Sequence, residues 1–453
     1  MKSIRVGSGA GTANDCIEPA LVLLEHGNLD YLFFECLAER TLALANLRKK
    51  HDPQKGYDQQ LQNRMGKVLD VYKRVKPNTK IISNMGAANP LEAARIIDAM
   101  CRERGLNLKV AAVIGDDVLG KIDKYYGLEV METNRPLDKY RDILVNANAY
   151  TGCAGIVKAL EMGSDIVITG RCADPSLTVG PCVHEFGWEM DDWKHLGCAT
   201  IAGHLLECGA QVCGGYFADL DRKIVPDLWN VGFPIGTIYE DGTIEISKVE
   251  GTGGRIDEMT VKEQALYEIQ DPANYMTPDV IADFTNLEIK EIEKNKVRVT
   301  GGCGKQKSGK LKVNCGYLDC YIGEGEMSYG GYGCVDRAKL AGECVVKRLE
   351  RNGTKYTEIR VDIIGYDSLY TNCVEAQMRS EDPAECRLRV AARCADKENA
   401  EKVAYEVEAL YCTGPAGGGG ARRSVREIVS VASVLIDEKD VILEVVYPGG
   451  EKA

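Results

Sequence analysis

Short β-rich runs alternate with longer helical patterns from residue 1 to about residue 215, and this alternation constrains the fold more than any other feature of the chain. It is typical of a parallel sheet whose strands are joined by crossover helices. We therefore predict a doubly wound α/β domain with a mostly parallel sheet. The predicted strands are Ser3 to Val6, Tyr31 to Phe34, Lys80 to Ser83, Lys109 to Ile114 and Asp165 to Thr169. The predicted helices lie near residues 15–26, 38–50, 58–75, 90–104, 152–162 and 192–208.

The pattern changes after Asp219, where strands and turns replace the regular alternation. Beyond about residue 356, two strands, one helix and two further strands indicate an α+β C-terminal region. The sequence thus predicts three parts, of which the second and third can form one domain. They are an α/β domain over residues 1–220, a strand-rich middle region over 221–355 and an α+β unit over 356–453.

Charge and composition exclude several classes of function. The net charge of −12 disfavours a nucleic-acid partner, because phosphate backbones are bound by clustered Lys and Arg. No apolar run is long enough to span a bilayer, and the first residues reach Gly7 before a secretory signal develops. We therefore expect a cytoplasmic protein without a membrane partner, whose 18 cysteines are reduced thiols.

The loops that follow the predicted strands are the best candidates for a functional site. In open α/β sheets, ligands bind in the crevice outside the carboxyl ends of the strands. Each loop carries glycine or polar and charged side chains. The loops are Gly7 to Gly11, Glu35-Cys36, Asn84 to Asn89, Gly115-Asp116-Asp117 and Gly170 to Asp174.

Three carboxylates in these loops are the first candidates for acid/base catalysis. Glu35, Asp116 and Asp117 lie where burial or a neighbouring carboxylate raises a pKa toward neutrality. Cys36 is the one thiol that we consider as a nucleophile, and a buried structural cysteine is the favoured alternative.

Arg171 is the candidate for binding a substrate carboxylate, because a guanidinium pairs with that group through two parallel hydrogen bonds. Asn84, Asn89 and Asp174 are further candidates for substrate binding in the same set of loops. For Asp174, capping of the following helix is an equally good interpretation.

Glycines in the first strand-end loop, and in two clusters of the second half of the chain, add candidate binding residues. We expect the amides of Gly9 and Gly11, and those of Gly253 and Gly254, to bind phosphate or thioester oxygens.

The second cluster lies in the segment from Gly414 to Arg423, which contains four consecutive glycines. Ordering such a backbone costs conformational entropy, so we predict a mobile lid that closes on an anionic ligand. Its candidate binding residues are Gly417, Gly418 and Arg422. A well-packed turn between a helix and a strand is the alternative.

We predict no resident cofactor and no divalent metal, although coenzyme A can form part of the substrate. Glycines at positions 7, 9 and 11 leave Thr12 where a dinucleotide fingerprint needs its third glycine. The five histidines form no H-x-H or H-x-x-x-H pair of the kind that binds zinc. An oxidoreductase is therefore the weakest alternative.

Several long segments carry a resemblance to a known family. They include Leu29 to Thr41, Ser83 to Pro90, Ile168 to Asp174, Gly251 to Gly254, Tyr275 to Asp279 and Gly414 to Gly417. Together they resemble the acyclic terpene utilisation family, AtuA, over nearly the whole chain. The resemblance implies catabolism of a branched acyl-CoA or a small carboxylate. Family members often continue into a small extra domain, so we expect a small partner subunit in its place after Ala453, and a homo-oligomer.

The residues and the resemblance favour a catabolic enzyme, either a carbon-carbon lyase or a hydratase. Both reactions need a base beside a carbonyl-stabilised carbanion, so this set of residues does not separate them. The alternative is a non-catalytic subunit that binds a ligand or acts as a scaffold.

Overall fold

The computed structural model describes residues 1–75, 77–370 and 383–449. The chain divides into two compact units, one formed by Met1–Gly316 with Val431–Ala453 and the other by Tyr317–Ser430. The sequence predicts a different, three-part division. The difference arises because strands between residues 234 and 300 extend the N-terminal sheet instead of forming a middle region.

The strands are numbered in chain order. They are β1 (Ser3–Ser8), β2 (Tyr31–Phe34), β3 (Lys80–Ser83), β4 (Val110–Ile114), β5 (Leu144–Ala149), β6 (Ile166–Thr169), β7 (Pro234–Tyr239), β8 (Ile244–Lys248), β9 (Tyr275–Met276), β10 (Ile281–Asp283), β11 (Glu288–Glu293), β12 (Lys296–Thr300), β13 (Cys303–Lys305), β14 (Lys310–Gly330), β15 (Glu358–Ile364), β16 (Glu385–Cys394), β17 (Gly419–Asp437) and β18 (Glu444–Val446).

The α-helices are numbered in the same way. They are α1 (Glu18–His26), α2 (Glu39–His51), α3 (Leu61–Val75), α4 (Pro90–Glu103), α5 (Ala154–Glu161), α6 (Ser176–Phe186), α7 (Trp193–Leu206), α8 (Glu258–Leu266), α9 (Cys334–Arg351), α10 (Lys397–Glu408) and α11 (Leu410–Thr413). Short 3-10 helices lie at Leu119–Tyr125, Leu137–Ile143, Gly209–Cys213, Leu228–Asn230 and Glu438–Asp440.

A large mixed sheet forms the centre of the first unit. Within the described residues, ten strands follow the order β11-β12-β8-β7-β1-β2-β3-β6-β4-β18. The five central strands, from β1 to β4 in this order, are parallel as the sequence predicts. The outer strands are antiparallel, since β7 pairs with β1 and β18 pairs with β4 in that sense. The protein is therefore a mixed α/β protein.

Both faces of the central strands are buried. Tyr31 and Phe33 belong to a core that contains residues of α5, α6 and α7, whereas Leu32 and Phe34 belong to a core with residues of α1, α3 and α4. This explains why the strands are continuous apolar runs, as expected of parallel strands that are covered on both sides.

Helix α6 is absent from the predicted helices because Gly180 and Pro181 lie inside it. Proline removes a backbone donor and normally interrupts a helix. Here the residues from Ser176 to Val183 are all buried, and a Cβ on Gly180 would lie 2.7 Å from Ile156 Cγ2 of α5. Close packing between α5 and α6 thus outweighs the low helix propensity.

The second unit is built on antiparallel strands. Strand β16 pairs with β14 on one side and with β15 on the other. Alternate β16 residues, including Leu388 and Val390, share a buried core with Val345 of α9 and Val403 of α10. The second unit thus combines antiparallel strands with the helices α9 and α10.

No helix in the described part of the chain combines the length and the apolar character that crossing a membrane requires.

Two helix-interior glycines provide a test of the packing. A Cβ added to Gly197 of α7 would lie 2.2 Å from the Cys303 carbonyl oxygen. A Cβ added to Gly66 of α3 would have Met100 Cε as its nearest neighbour, at 3.5 Å. We expect Gly197→Ala to lower the free energy of unfolding by about 1–3 kcal/mol through overpacking. Gly66→Ala should raise it by about 0.5–1 kcal/mol, because alanine loses less backbone entropy. Urea unfolding measures both, and equal effects of the two substitutions would contradict this packing.

Candidate active site

The strand-end residues that the sequence singles out lie at one edge of the sheet. Glu35, Asn84, Asp116 and Arg171 follow β2, β3, β4 and β6, which are parallel neighbours in the order β2-β3-β6-β4. Two hydrogen bonds connect neighbouring loops at this edge. The Arg171 N–H donates to Asp116 Oδ2 at 3.0 Å, and the Cys36 N–H donates to Asn84 Oδ1 at 2.7 Å.

A cavity of about 600 Å³ opens beside this edge. Among its described lining residues, five carry carboxyl groups and two are basic. The carboxyl groups belong to Glu35, Glu39, Asp174, Glu207 and Glu268, and the basic residues are Arg171 and Lys312. The wall is therefore acidic unless some of these carboxyl groups hold protons.

The buried Arg171 side chain is fixed by three contacts. Its Nη1 donates to the Leu37 carbonyl, and its Nη2 lies 3.7 Å from Asp174 Oδ2. The guanidinium carbon lies 3.7 Å from the centre of the Tyr150 ring, which is a cation–π contact. Within the described residues, the buried Arg171 Nε has no hydrogen-bond partner. A buried donor without a partner is costly, so a ligand oxygen at this nitrogen would stabilise the site.

Glu39 is a fixed negative charge on the same wall. It accepts a hydrogen bond from the Tyr150 hydroxyl, and Lys312 Nζ lies 3.3 Å from its Oε1. Burial favours the neutral form, but the hydrogen bond from Tyr150, together with Arg171 and Lys312, lowers the pKa of Glu39 to about 2. Glu39 therefore neutralises part of the basic charge and does not exchange protons near neutral pH.

Glu35 and Asp174 have the opposite electrostatic setting. Burial raises the pKa of Glu35 well above its ordinary value, and the charges of Asp174 and Glu207 raise it further. Burial also raises the pKa of Asp174, to about 7, although Arg171 opposes that shift. The Asp174 Oδ1 is buried without a hydrogen-bond partner in the described structure. These two carboxyl groups are thus suited to exchange protons near neutral pH.

Asp116 lies behind the cavity wall and supports the loop that carries Arg171. Its Oδ2 accepts from the Arg171 N–H and from Asn148 Nδ2 at 2.9 Å. Its carboxyl group also packs against Gly170, where an added Cβ would lie 2.4 Å from Oδ1. Burial raises the pKa of Asp116 to about 6. The structure places this carboxyl group against protein atoms, not against the cavity.

Cys36 lines the cavity, but its thiol is not activated. Burial raises the pKa of Cys36 well above its ordinary value, which favours the neutral thiol over the nucleophilic thiolate. The Asn84 side chain accepts the Cys36 N–H and thereby fixes this strand end.

Asp117 and Asn89 lie away from the cavity wall. Asp117 is exposed, and its Oδ1 accepts the Leu119 N–H at 3.0 Å in a local turn. Asn89 donates to the carbonyls of Pro53 and Lys55.

The N-terminal glycines and the pair at 253–254 use their amides inside the protein. The Gly9 N–H donates to the Phe33 carbonyl, and the Gly11 N–H donates to Asp15 Oδ2. The Gly253 and Gly254 amides bind carbonyls of the 226–230 loop. In this structure these amides are not free for a phosphate. Gly11 nevertheless lines the cavity.

The residues of the proposed lid belong to the second unit. Gly417 has a φ of +76°, and β17 begins two residues later at Gly419. Arg337 Nη1 donates to the Ala416 carbonyl at 2.8 Å just before Gly417 and Gly418. Arg422 is exposed, and closure of this segment on a ligand stays a prediction.

Other cavity residues were not among the candidates from the sequence. Tyr150 follows β5, a strand that the pattern does not predict, and Lys312 lies in β14, far along the chain. Glu207 caps the C-terminus of α7, a helix whose apolar sequence gives no sign of a site. Glu39 and Tyr275 lie in segments that carry the family resemblance, which is the one signal that could have identified them.

Within the described residues, no group of three or more His, Cys, Asp or Glu side chains is arranged to hold a metal ion.

The fold and the cavity define a mixed α/β protein with an acidic, arginine-containing cavity at the carboxyl ends of parallel strands. The family model described as acyclic terpene utilisation family protein AtuA matches residues 4–447, so the chain belongs to this family. Membership implies a role in the catabolism of acyclic terpenes. No curated protein and no solved structure matches the chain.

The raised pKa of Asp174 predicts a pH-dependent stability. An unfolded Asp titrates near pH 4, so Asp174 lowers stability progressively as the pH rises from about 4 to about 7. We expect Asp174→Asn to raise the free energy of unfolding by about 1–3 kcal/mol at pH 8 and to change it little at pH 4. Urea unfolding at both pH values measures this. The exposed control Asp117→Asn should change neither value, and equal effects of Asp174→Asn at both pH values would refute the interpretation.

Proposed function

We propose that this protein is an enzyme that performs acid/base chemistry on a small carboxylate or an acyl-CoA thioester derived from an acyclic terpene. The reaction class that fits best is a lyase, acting by carbon-carbon cleavage or by addition and elimination of water. The observation that carries the proposal is the buried, incompletely paired Arg171 beside the carboxyl groups of Glu35 and Asp174.

Arg171 would bind the substrate. Its free Nε is a buried donor that lacks an acceptor, and a carboxylate or carbonyl oxygen supplies one. Stacking on Tyr150 and the bond to Leu37 hold the guanidinium in place before binding. Such preorganisation favours charge that develops on oxygen during reaction.

Glu35 and Asp174 would move the proton. A protonated carboxyl group acts as general acid toward a leaving hydroxyl or carbonyl oxygen, and the ionised partner acts as general base at carbon. Burial, together with the neighbouring carboxylates, keeps at least one of the two protonated near neutral pH, whereas Glu39 stays ionised. The pair thus supplies an acid and a base from two carboxyl groups, with roles set by their environments.

The partner proposals follow from the family resemblance. We retain a small partner subunit and a homo-oligomer as predictions, with coenzyme A bound only as part of a substrate.

Substitution of Glu35 tests the proposed chemistry. We expect Glu35→Gln to lower kcat by about 10²- to 10⁴-fold, because it removes a proton-transferring group at nearly constant shape. Product formation from a panel of branched acyl-CoA thioesters and free carboxylates, followed by mass spectrometry, provides the assay. Asp117→Asn is the matched control, since Asp117 is exposed and lies away from the cavity.

The dependence of kcat on pH provides a second test of the proposed chemistry. If the protonated carboxyl is the general acid, kcat falls as the pH rises through its raised pKa. Full activity of Glu35→Gln and Asp174→Asn would contradict the proposed acid/base roles. Absence of turnover of every panel substrate by the unmodified protein would favour a non-catalytic binding or scaffold subunit.

A further inference from the structure

A second, smaller chamber shares a wall with the acidic cavity. Its volume is about 330 Å³, and both spaces are lined by Tyr150, Asp174, Tyr275 and Lys312. The chamber therefore begins at Asp174, one of the two residues that we propose to move the proton.

The rest of the chamber wall is mainly apolar. The side chains that line it beyond the shared residues include Met131, Ala173, Pro175, Met276, Pro278 and Leu435. Three of them are unusually exposed for apolar residues, since Met276 is 69% exposed, Met131 is 55% exposed and Leu435 is 44% exposed. Exposed apolar side chains that cluster around a concave surface mark a binding site for an apolar group.

Among the described residues, Asp174 Oδ1 has no hydrogen-bond partner, whereas other polar side chains of this chamber are paired within the protein. The Thr277 hydroxyl donates to the Val280 carbonyl at 2.8 Å, and Lys310 pairs with Asp437. Lys312 pairs with Glu39, and Ser308 exchanges hydrogen bonds with the backbone of Lys310. The surface left for a ligand is mainly hydrocarbon, which favours an apolar occupant.

We propose that this chamber binds the hydrocarbon chain of the substrate whose carboxylate or acyl head lies against Arg171. The inference rests on the proposed function, because the shared wall joins the chamber to the same acid/base pair. The chamber selects substrates by the length of their apolar chain, and the Tyr150 and Tyr275 rings stand at the junction between head and chain.

Two series of probes test the chamber. Isothermal titration calorimetry compares butanoate with octanoate, and 1-butanol with 1-octanol, on the full chain. We expect affinity to rise about fourfold for each methylene that the chamber buries. The alcohols lack the carboxylate and therefore report on the chamber independently of Arg171.

Two exposed positions allow a substitution that leaves the core untouched. In a Met276→Gln and Leu435→Gln double variant, octanoate should bind only a few-fold more tightly than butanoate, or less. The affinity for butanoate itself should be unchanged. Met259→Gln is the matched control, because Met259 is 52% exposed in α8 and lines neither space.

The outcomes separate this inference from the proposed function. The inference is wrong if affinity does not depend on chain length in either series of probes. It is also wrong if the dependence persists undiminished in the double variant. If affinity for the alcohols rises with chain length but neither butanoate nor octanoate binds, the chamber is supported and the carboxylate part of the proposed function is wrong. Butanoate binding that needs Arg171 but gains nothing from a longer chain leaves the proposed function intact and overturns the chamber alone.

Discussion

The buried guanidinium of Arg171 is the charge on which the rest of the cavity depends. A buried charge is tolerated only when neighbouring groups stabilise it. Here the Leu37 carbonyl, the Tyr150 ring and the carboxylates of Asp174 and Glu39 provide that stabilisation. Burial raises the pKa of Glu35 and Asp174, and the acidic groups, which exceed the basic ones along the described wall, raise it further.

The fold assembles this charge arrangement through the direction of its strands. Parallel neighbours place Glu35, Asn84, Asp116 and Arg171 at one edge without any need for them to be close in sequence. The residues then divide into two kinds. Asn84 and Asp116 hold the backbone of Cys36 and Arg171 from within the protein, whereas Glu35 and Arg171 line the cavity. Buried amide and carboxyl groups thus fix the geometry that the cavity-lining groups need.

The sequence predicts the central sheet well because its strands are short apolar runs between polar ends. The bounds of Tyr31–Phe34 and Lys80–Ser83 agree with the structure, and the common edge follows from the parallel direction of the strands. Helix α6 cannot be predicted locally, since packing of Gly180 against Ile156 outweighs the effect of Pro181. The antiparallel outer strands come from distant segments, which the local pattern does not assign to the sheet.

The candidate site is less predictable than the fold. Position after a strand does not tell whether a side chain points into the cavity, so Asp116 and Glu35 look alike in sequence although only Glu35 lines the wall. Glycine patterns do not reveal that the Gly9 and Gly11 amides already have acceptors. Tyr150 and Lys312 reach the cavity through tertiary contacts alone. The charge balance of a buried site is a property of the assembled structure.

The chemistry of the cavity depends on a carboxyl group beside Arg171 that stays protonated at neutral pH. Infrared difference spectroscopy detects it directly, because a protonated carboxyl has a carbonyl stretch that a carboxylate lacks. At pH 7.5 we expect such a band in the unmodified protein. The band should be lost or weakened in Glu35→Gln or Asp174→Asn and unchanged in Asp117→Asn. Absence of the band from the unmodified protein at this pH, or a band that both substitutions leave intact, would show that no carboxyl group of the cavity holds a proton there.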